Sequence, residues 1–318
     1  MTYWRVSMSL DDLGLTDYEA ETEKTLLIDG DILIYKPCCI FNEDDDYDRK
    51  QIEKHINHKI DQLMELSGCS SYIMFVTTKT NFRDFIADDY KANRSDTVRP
   101  VNLAWAKRWA VDTFNTHYRS GLEADDLLGI HQTEDTVIWS LDKDLRQIAG
   151  LHLDDASGKV ITVTENGVLR KKLGALKKPD TNSKARKATK YYFDGLVGLY
   201  FQMLTGDDTD WIVGCGERKE YTVKSGASAG QVKLKRFGIG PGKAYEMLSE
   251  ARTIEDAFDV VCEEYRKQYG DNWIKHLEIQ SNLLFMVREH NENLVRQWTY
   301  DDREQWLDID TGETHEVT

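Results

Sequence analysis

Three short apolar runs punctuate the first half of the chain: Thr25 to Ile28 (TLLI), Tyr72 to Val76 (YIMFV) and Val137 to Trp139 (VIW). Each is bounded by polar residues and none alternates, which predicts strands buried on both faces of a parallel sheet. Between them, Gln51 to Leu66 sets Ile52, Ile56, Ile60, Leu63 and Leu66 at helical spacing, and Leu103 to Phe114 carries its Trp, Ala, Val and Phe likewise. Both predict crossover helices, and strand–helix alternation predicts an α/β fold with a parallel sheet and helices on both faces. Residues 1–23, acidic and broken by Gly14, read as an N-terminal extension, 24–190 as the sheet domain, and 191–318 as a helical region.

Two basic segments interrupt this pattern. Residues 165–190 hold nine Lys or Arg against two acids and predict a mobile loop, while 217–236 read either as an extension of duplex contacts or as a disordered loop. Composition then narrows the class: 40% hydrophobic and 31% charged residues exclude a wholly disordered chain. A net charge of −15 means that any nucleic-acid contact must use local basic patches. No apolar run approaches the roughly 20 residues of a membrane span, so a cytoplasmic protein with no membrane partner is expected. The five cysteines lack C-x-x-C spacing and read as reduced, buried thiols.

The candidate chemistry lies where the elements end. Asp29 and Asp31 close the first strand, and Asp142 and Asp144 follow the third, the positions where open parallel sheets bind ligands. Glu123, Asp125 and Asp126 sit at an apparent helix start, and Asp207, Asp208 and Asp210 follow a later apolar helix. Converging carboxylates cannot all stay ionised without a cation. An all-oxygen set suits Mg²⁺ or Mn²⁺, and two such ions suit phosphodiester cleavage. Taken singly, each acidic pair is explained as a helix cap or solvated terminus; four pairs after successive apolar elements favour a metal site. Asp44, Asp45 and Asp46 read as a solvated run.

Candidate phosphate and base contacts come from NFRDF (81–85) and YKANR (90–94), which mix aromatics with cations. The Gly-rich GIGPGKA, with Pro241 and Lys243, suits a helix start that meets a DNA backbone. Phe237 and Ala244 exclude a nucleotide-binding P-loop at Gly242. His55 and His58 lack zinc partners and read as surface residues.

In order, IDGDILIYK, NFRDF, DDYKANR, GLEADDLLG, SLDKDL, TGDDTDWIVG and GIGPGKA resemble the signature of the flap-endonuclease superfamily, most nearly the bacteriophage 5′ to 3′ exonucleases. The resemblance covers about residues 24–248. It implies a PIN-like sheet, a helical arch (about 79–115) over the active site, and a helix-three-turn-helix that binds duplex DNA. It maps metal ligands onto Asp29, Glu123, Asp125, Asp126, Asp142, Asp144, Asp207 and Asp210, for two or more Mg²⁺ or Mn²⁺ ions. Lys91 and Arg94 map to the arch cations and, with Asp125 and Asp142, form the implied catalytic set. Tyr90 is then a base-stacking ring, Arg83 a phosphate contact, and Gly238, Gly240 and Lys243 further DNA contacts. A potassium site is implied near Gly214, Gly238 and Gly240.

The implied activity is hydrolysis of DNA with 5′ ends, flaps or nicks, or of RNA primers, to 5′-phosphorylated products by a monomer in phage replication or recombination. Two departures stand out: Thr78 (or Thr77) replaces the usual acid after the second strand, and the basic insertion at 217–236 splits the hairpin. A haloacid-dehalogenase-type phosphatase with Asp29 as nucleophile, and a DNA-binding relative without catalysis, are the competing readings.

Overall fold

The computed structural model describes residues 23–94, 97–173, 189–226 and 228–316. The expected N-terminal extension, except Glu23, and positions 174–188 of the expected basic loop lie outside them. Strand β1 (Thr25–Asp29) leads directly into α1 (Gly30–Ile40), followed by α2 (Asp46–Ser67), β2 (Ser71–Phe75), α3 (Leu103–Thr113), β3 (Thr116–His117), α4 (Ala124–His131) and β4 (Thr136–Trp139). A hairpin of β5 (Gly150–Asp154) and β6 (Lys159–Val163) completes a six-stranded sheet ordered β3-β2-β1-β4-β5-β6. All pairings are parallel except β5 with β6.

Because successive strand residues point to opposite faces, β1 divides its apolar run between two cores. Leu26 and Ile28 join Ile34 of α1, Ile52, Ile56, Ile60 and Leu63 of α2, and Ala106 and Ala110 of α3. Leu27 points the other way, toward Leu127 and Leu128 of α4. Asp45 starts α2 by accepting from the Asp48 amide at 2.8 Å, and Asp44 pairs with Arg49, so this acidic run is a helix cap rather than a merely solvated stretch. The arch segment holds two single 3₁₀ turns, Phe82–Phe85 and Ala92–Arg94, before α3.

Past the sheet, β7 (Leu169–Leu173) and β8 (Thr189–Phe193) pair antiparallel, so both described ends of the expected mobile loop are strands. Helices α5 (Gly195–Thr205), α6 (Pro241–Ser249), α7 (Ile254–Tyr269) and α8 (Trp273–Leu284) enclose a separate core around Leu199, Met203, Val261, Tyr265 and Leu277. Between α5 and α6, β9 (Gly216–Thr222) and β10 (Val232–Gly238) form an antiparallel ribbon, so both flanks of the basic segment 217–236 are strands rather than loop; residue 227 lies outside the described residues. At its base the strands approach so closely that a Cβ on Gly216 would lie 2.4 Å from the Phe237 carbonyl.

The C-terminal region is not helical throughout. After α8 come four short antiparallel strands, β11 (His290–Asn291), β12 (Leu294–Arg296), β13 (Gln305–Asp308) and β14 (Thr314–Glu316), too short to announce a period. Val287, Val295, Leu307 and Ile309 return to pack on α4 and the second face of the main sheet. Residues between 287 and 309 thus share a core with the main sheet, across the expected division at 190. All five cysteines are free; four are buried, but Cys39, at the end of α1, is exposed. Among the described residues, no helix is long and apolar enough to cross a membrane.

Candidate active site

Parallel pairing of β1 with β4 brings Asp29 and Ser140 to adjacent strand ends. Ser140 joins two acidic segments: its hydroxyl donates to Asp29 Oδ2 at 2.6 Å and accepts from the Asp142 amide at 2.9 Å. Asp29 is only 2% exposed and caps α1 by accepting from the Ile32 amide. Burial and the neighbouring charges of Asp31 and Asp142 push its carboxyl up to about 7. Asp142 in turn caps the 3₁₀ turn Lys143–Gln147, accepting from the Asp144 amide.

The other acids adjoin this pair. Burial, then Asp29, Asp142 and Glu123, raises the Asp125 carboxyl well above the usual range. Burial, then Asp142 and Asp207, does the same to Asp144, whose Oδ1 is buried with no hydrogen-bond partner. Acids from four chain segments thus feel one another's charge at one end of the sheet. Asp31 is turned to structural use instead, accepting from Lys107 Nζ at 2.5 Å and from the Thr77 amide. Thr77 Oγ1 accepts from the Ala124 amide at the start of α4, while Thr78 Oγ1 is buried without a partner.

Glu123 and Asp210 already hold cations. Lys91 Nζ binds Glu123 and lies 3.5 Å from Asp210, and Arg94 pairs with Asp210. Burial raises the Glu123 carboxyl, but Lys91 and Arg83 outweigh it and hold Glu123 down at about 2. Lys91 takes a left-handed φ of 56°, an uncommon conformation for a lysine, and its amide donates to the Asp210 carbonyl. The predicted arch cations therefore do reach the acidic cluster.

Three predicted contacts have different roles. Arg83 is 1% exposed and cannot meet a phosphate: it makes a bidentate pair with Asp126 at 2.7 and 2.8 Å and donates to the Leu283 and Phe285 carbonyls. Asp126 is consumed by the same network, also accepting from the Glu123 and Val287 amides, so it is not a free metal ligand. Tyr90 is buried in the helical core, with its hydroxyl donating to Glu123 at 2.9 Å, and offers no ring for a base. In each case the sequence shows the residue type but not the distant partner.

The expected potassium site is filled by protein. Arg236 donates to the carbonyls of Val213 (2.6 Å), Ile239 (3.0 Å) and Leu204 (2.8 Å), and Tyr269 donates to those of Gly214 and Gly216. Of the carbonyls expected there, that of Gly214 is thus engaged by Tyr269. Gly238 forms the tight end of the ribbon, and Gly240 caps α6 with open space beside it and Lys243 exposed in the first turn.

Sequence reasoning missed Ser140 and Lys107, and named Thr77 only as a possible stand-in for an acid. Ser140 was detectable, standing two residues before Asp142 in SLDKDL; the other two depend on long-range contacts. The donor set, buried carboxyls that include Asp144, whose Oδ1 makes no hydrogen bond and lies 3.6 Å from Lys143 Nζ, fits a hard divalent cation chemically. Among the described residues, no three acid, His or Cys side chains are gathered into a ready-made cage.

No family model matches the chain, and no curated protein matches it. Among solved structures it is similar to the bacteriophage T5 D15 protein co-crystallised with metal ions, at 16% identity over 83% of this chain and 86% of that one, with a TM-score of 0.46. It is also similar to the T5 D15 flap endonuclease in a complex with DNA and metal ions (14% identity, 82% and 99% covered, TM-score 0.45). A third likeness is to the zinc-bound T5 5′-exonuclease (15% identity, 82% and 97% covered, TM-score 0.45).

Proposed function

We propose that this chain is a divalent-metal-dependent 5′ to 3′ exonuclease and flap endonuclease that hydrolyses DNA at 5′ ends, flaps or nicks. The observation that supports it most is that Asp29 at the end of β1, Asp125 at the start of α4, and Asp142 and Asp144 after β4 feel one another's charge, while Lys91 and Arg94 pair with the neighbouring Glu123 and Asp210. Asp29, Asp125, Asp142, Asp144 and Asp207 would hold Mg²⁺ or Mn²⁺, joined by Glu123 and Asp210 when these exchange their cationic partners. Such ions supply an activated water and neutralise charge on the scissile phosphate.

The chain's own residues set the stage. Ser140 fixes Asp29 relative to Asp142. Tyr90 orients Glu123 from the buried side. Lys91 and Arg94, released from their carboxylates, meet the phosphoryl oxygens, while Lys243 and the free amides at the start of α6 meet the backbone of the duplex. Asp126 and Arg83 stay outside this set.

The test incubates 5′-labelled duplex and flap DNA with Mg²⁺, Mn²⁺ or chelator. Cleavage is expected only with an ion, falling by about 10²-fold or more in Asp142→Ala and in Lys91→Ala. Cleavage in chelator, or equal cleavage by Asp142→Ala, overturns the proposal.

A further inference from the structure

The β9–β10 ribbon sorts its cations by face. Residues paired across an antiparallel ribbon share a face, and alternate residues along a strand change it. Arg218 and Arg236 are opposite each other and point inward. Arg218 stacks on Trp211 at 3.6 Å and reaches Asp208, while Arg236 is spent on three carbonyls. Together they bolt the ribbon to the body.

The outer face is built differently. Lys219 is opposite Lys235, and Lys233, opposite Tyr221, is the next outward residue. Like charges placed directly opposite one another destabilise a ribbon. Lys219 reaches Glu217 at 2.6 Å, Lys233 reaches the Ser228 hydroxyl, and Lys235 lies over the Tyr221 and Phe237 rings at 5.1 and 5.8 Å. Among the described residues, only one of these three ammonium groups has a carboxylate partner, on an exposed face of a chain whose net charge is −15. Such a face is relieved by a polyanion.

We infer that the outer face of the β9–β10 ribbon, through Lys219, Lys233 and Lys235, binds the phosphate backbone of duplex DNA. A two-stranded ribbon is of a size to enter the major groove. The Tyr221 and Phe237 rings are engaged by Lys235, which favours a duplex over stacking on single-stranded bases. The inference takes its choice of polyanion from the function proposed above, but none of its geometry.

The test measures binding of a blunt duplex of about 20 base pairs in chelator, where no cleavage is needed, across a salt series. In the variant carrying Lys219→Ser, Lys233→Ser and Lys235→Ser, the log–log salt slope should shrink by about 2 to 3 and affinity at 0.1 M salt fall about a hundredfold. The corresponding triple Lys→Arg variant should retain both, as should Leu234→Ser on the opposite face, with thermal melting confirming that each variant folds. Wild-type affinity in the triple Ser variant overturns the inference, as does absence of duplex binding by the wild type, or a loss confined to single strands. A protein that binds through the ribbon but never cleaves would refute the nuclease reading alone.

Discussion

At His152 the fold encloses an imidazole that is 3% exposed, with Nε2–H donating to the Ile148 carbonyl at 2.7 Å. Burial, aided by Arg146 and Arg288, pushes its pKa down to about 4, against about 6.5 in the unfolded chain. Between these values the unfolded state holds the extra proton, so stability is complete above pH 6.5 and falls as pH drops toward 4. The contribution lost between pH 7 and 5 is about 2 kcal/mol. Urea unfolding at both pH values should show that loss shrinking by this amount in His152→Gln; equal losses in variant and wild type would remove the residue from the acid response. Arg83 teaches the complementary lesson. In NFRDF it has the appearance of a free cation, and only a carboxylate 43 positions away reveals a buried one.

At the scale of elements, β1, β2, β4, α2 and α3 are legible from the sequence because their burial imposes a run or a period long enough to see. Strands β11 to β14 are not, since two to four residues carry no period and their pairing is set by the surface they cover. The acidic strand ends are legible for the same local reason; the sorting of those acids into candidate ligands and structural partners is not. The ribbon combines both cases: its basic character is plain, but which arginine faces inward is a matter of register. Because Arg236 occupies the carbonyls at the ribbon base, duplex affinity should be the same in equal concentrations of KCl and NaCl. Arg236→Met should cost about 3 kcal/mol or more of stability, by leaving buried acceptors unpaired. A marked potassium preference in the wild-type titration would contradict this assignment.

Taken as a whole, the molecule is closed by the Arg83 network. One guanidinium ties the connection after β2 to α4 through Asp126, to the last turn of α8 through Leu283, and to its cap through Phe285. Val287 completes it from the far side: its amide donates to Asp126 at 3.2 Å, and its carbonyl leaves no room for a Cβ at Gly129. Arg83→Ala strands a buried carboxylate and should lower the unfolding free energy by about 3 to 5 kcal/mol, with part recovered in the double variant with Asp126→Ala. Chemical denaturation of the two single variants and the double variant reads this directly, and additive losses would show that the two groups do not act as a pair.

The same clamp sets an order of manufacture. Its carbonyl acceptors, Leu283 and Phe285, leave the ribosome some 200 residues after the arginine they receive, whereas Asp126 follows it by 43. Until then the guanidinium has only Asp126 and Glu123 as partners, and α4 lacks the support of the segment that follows α8. Closing the loop over that span must therefore precede completion of the clamp.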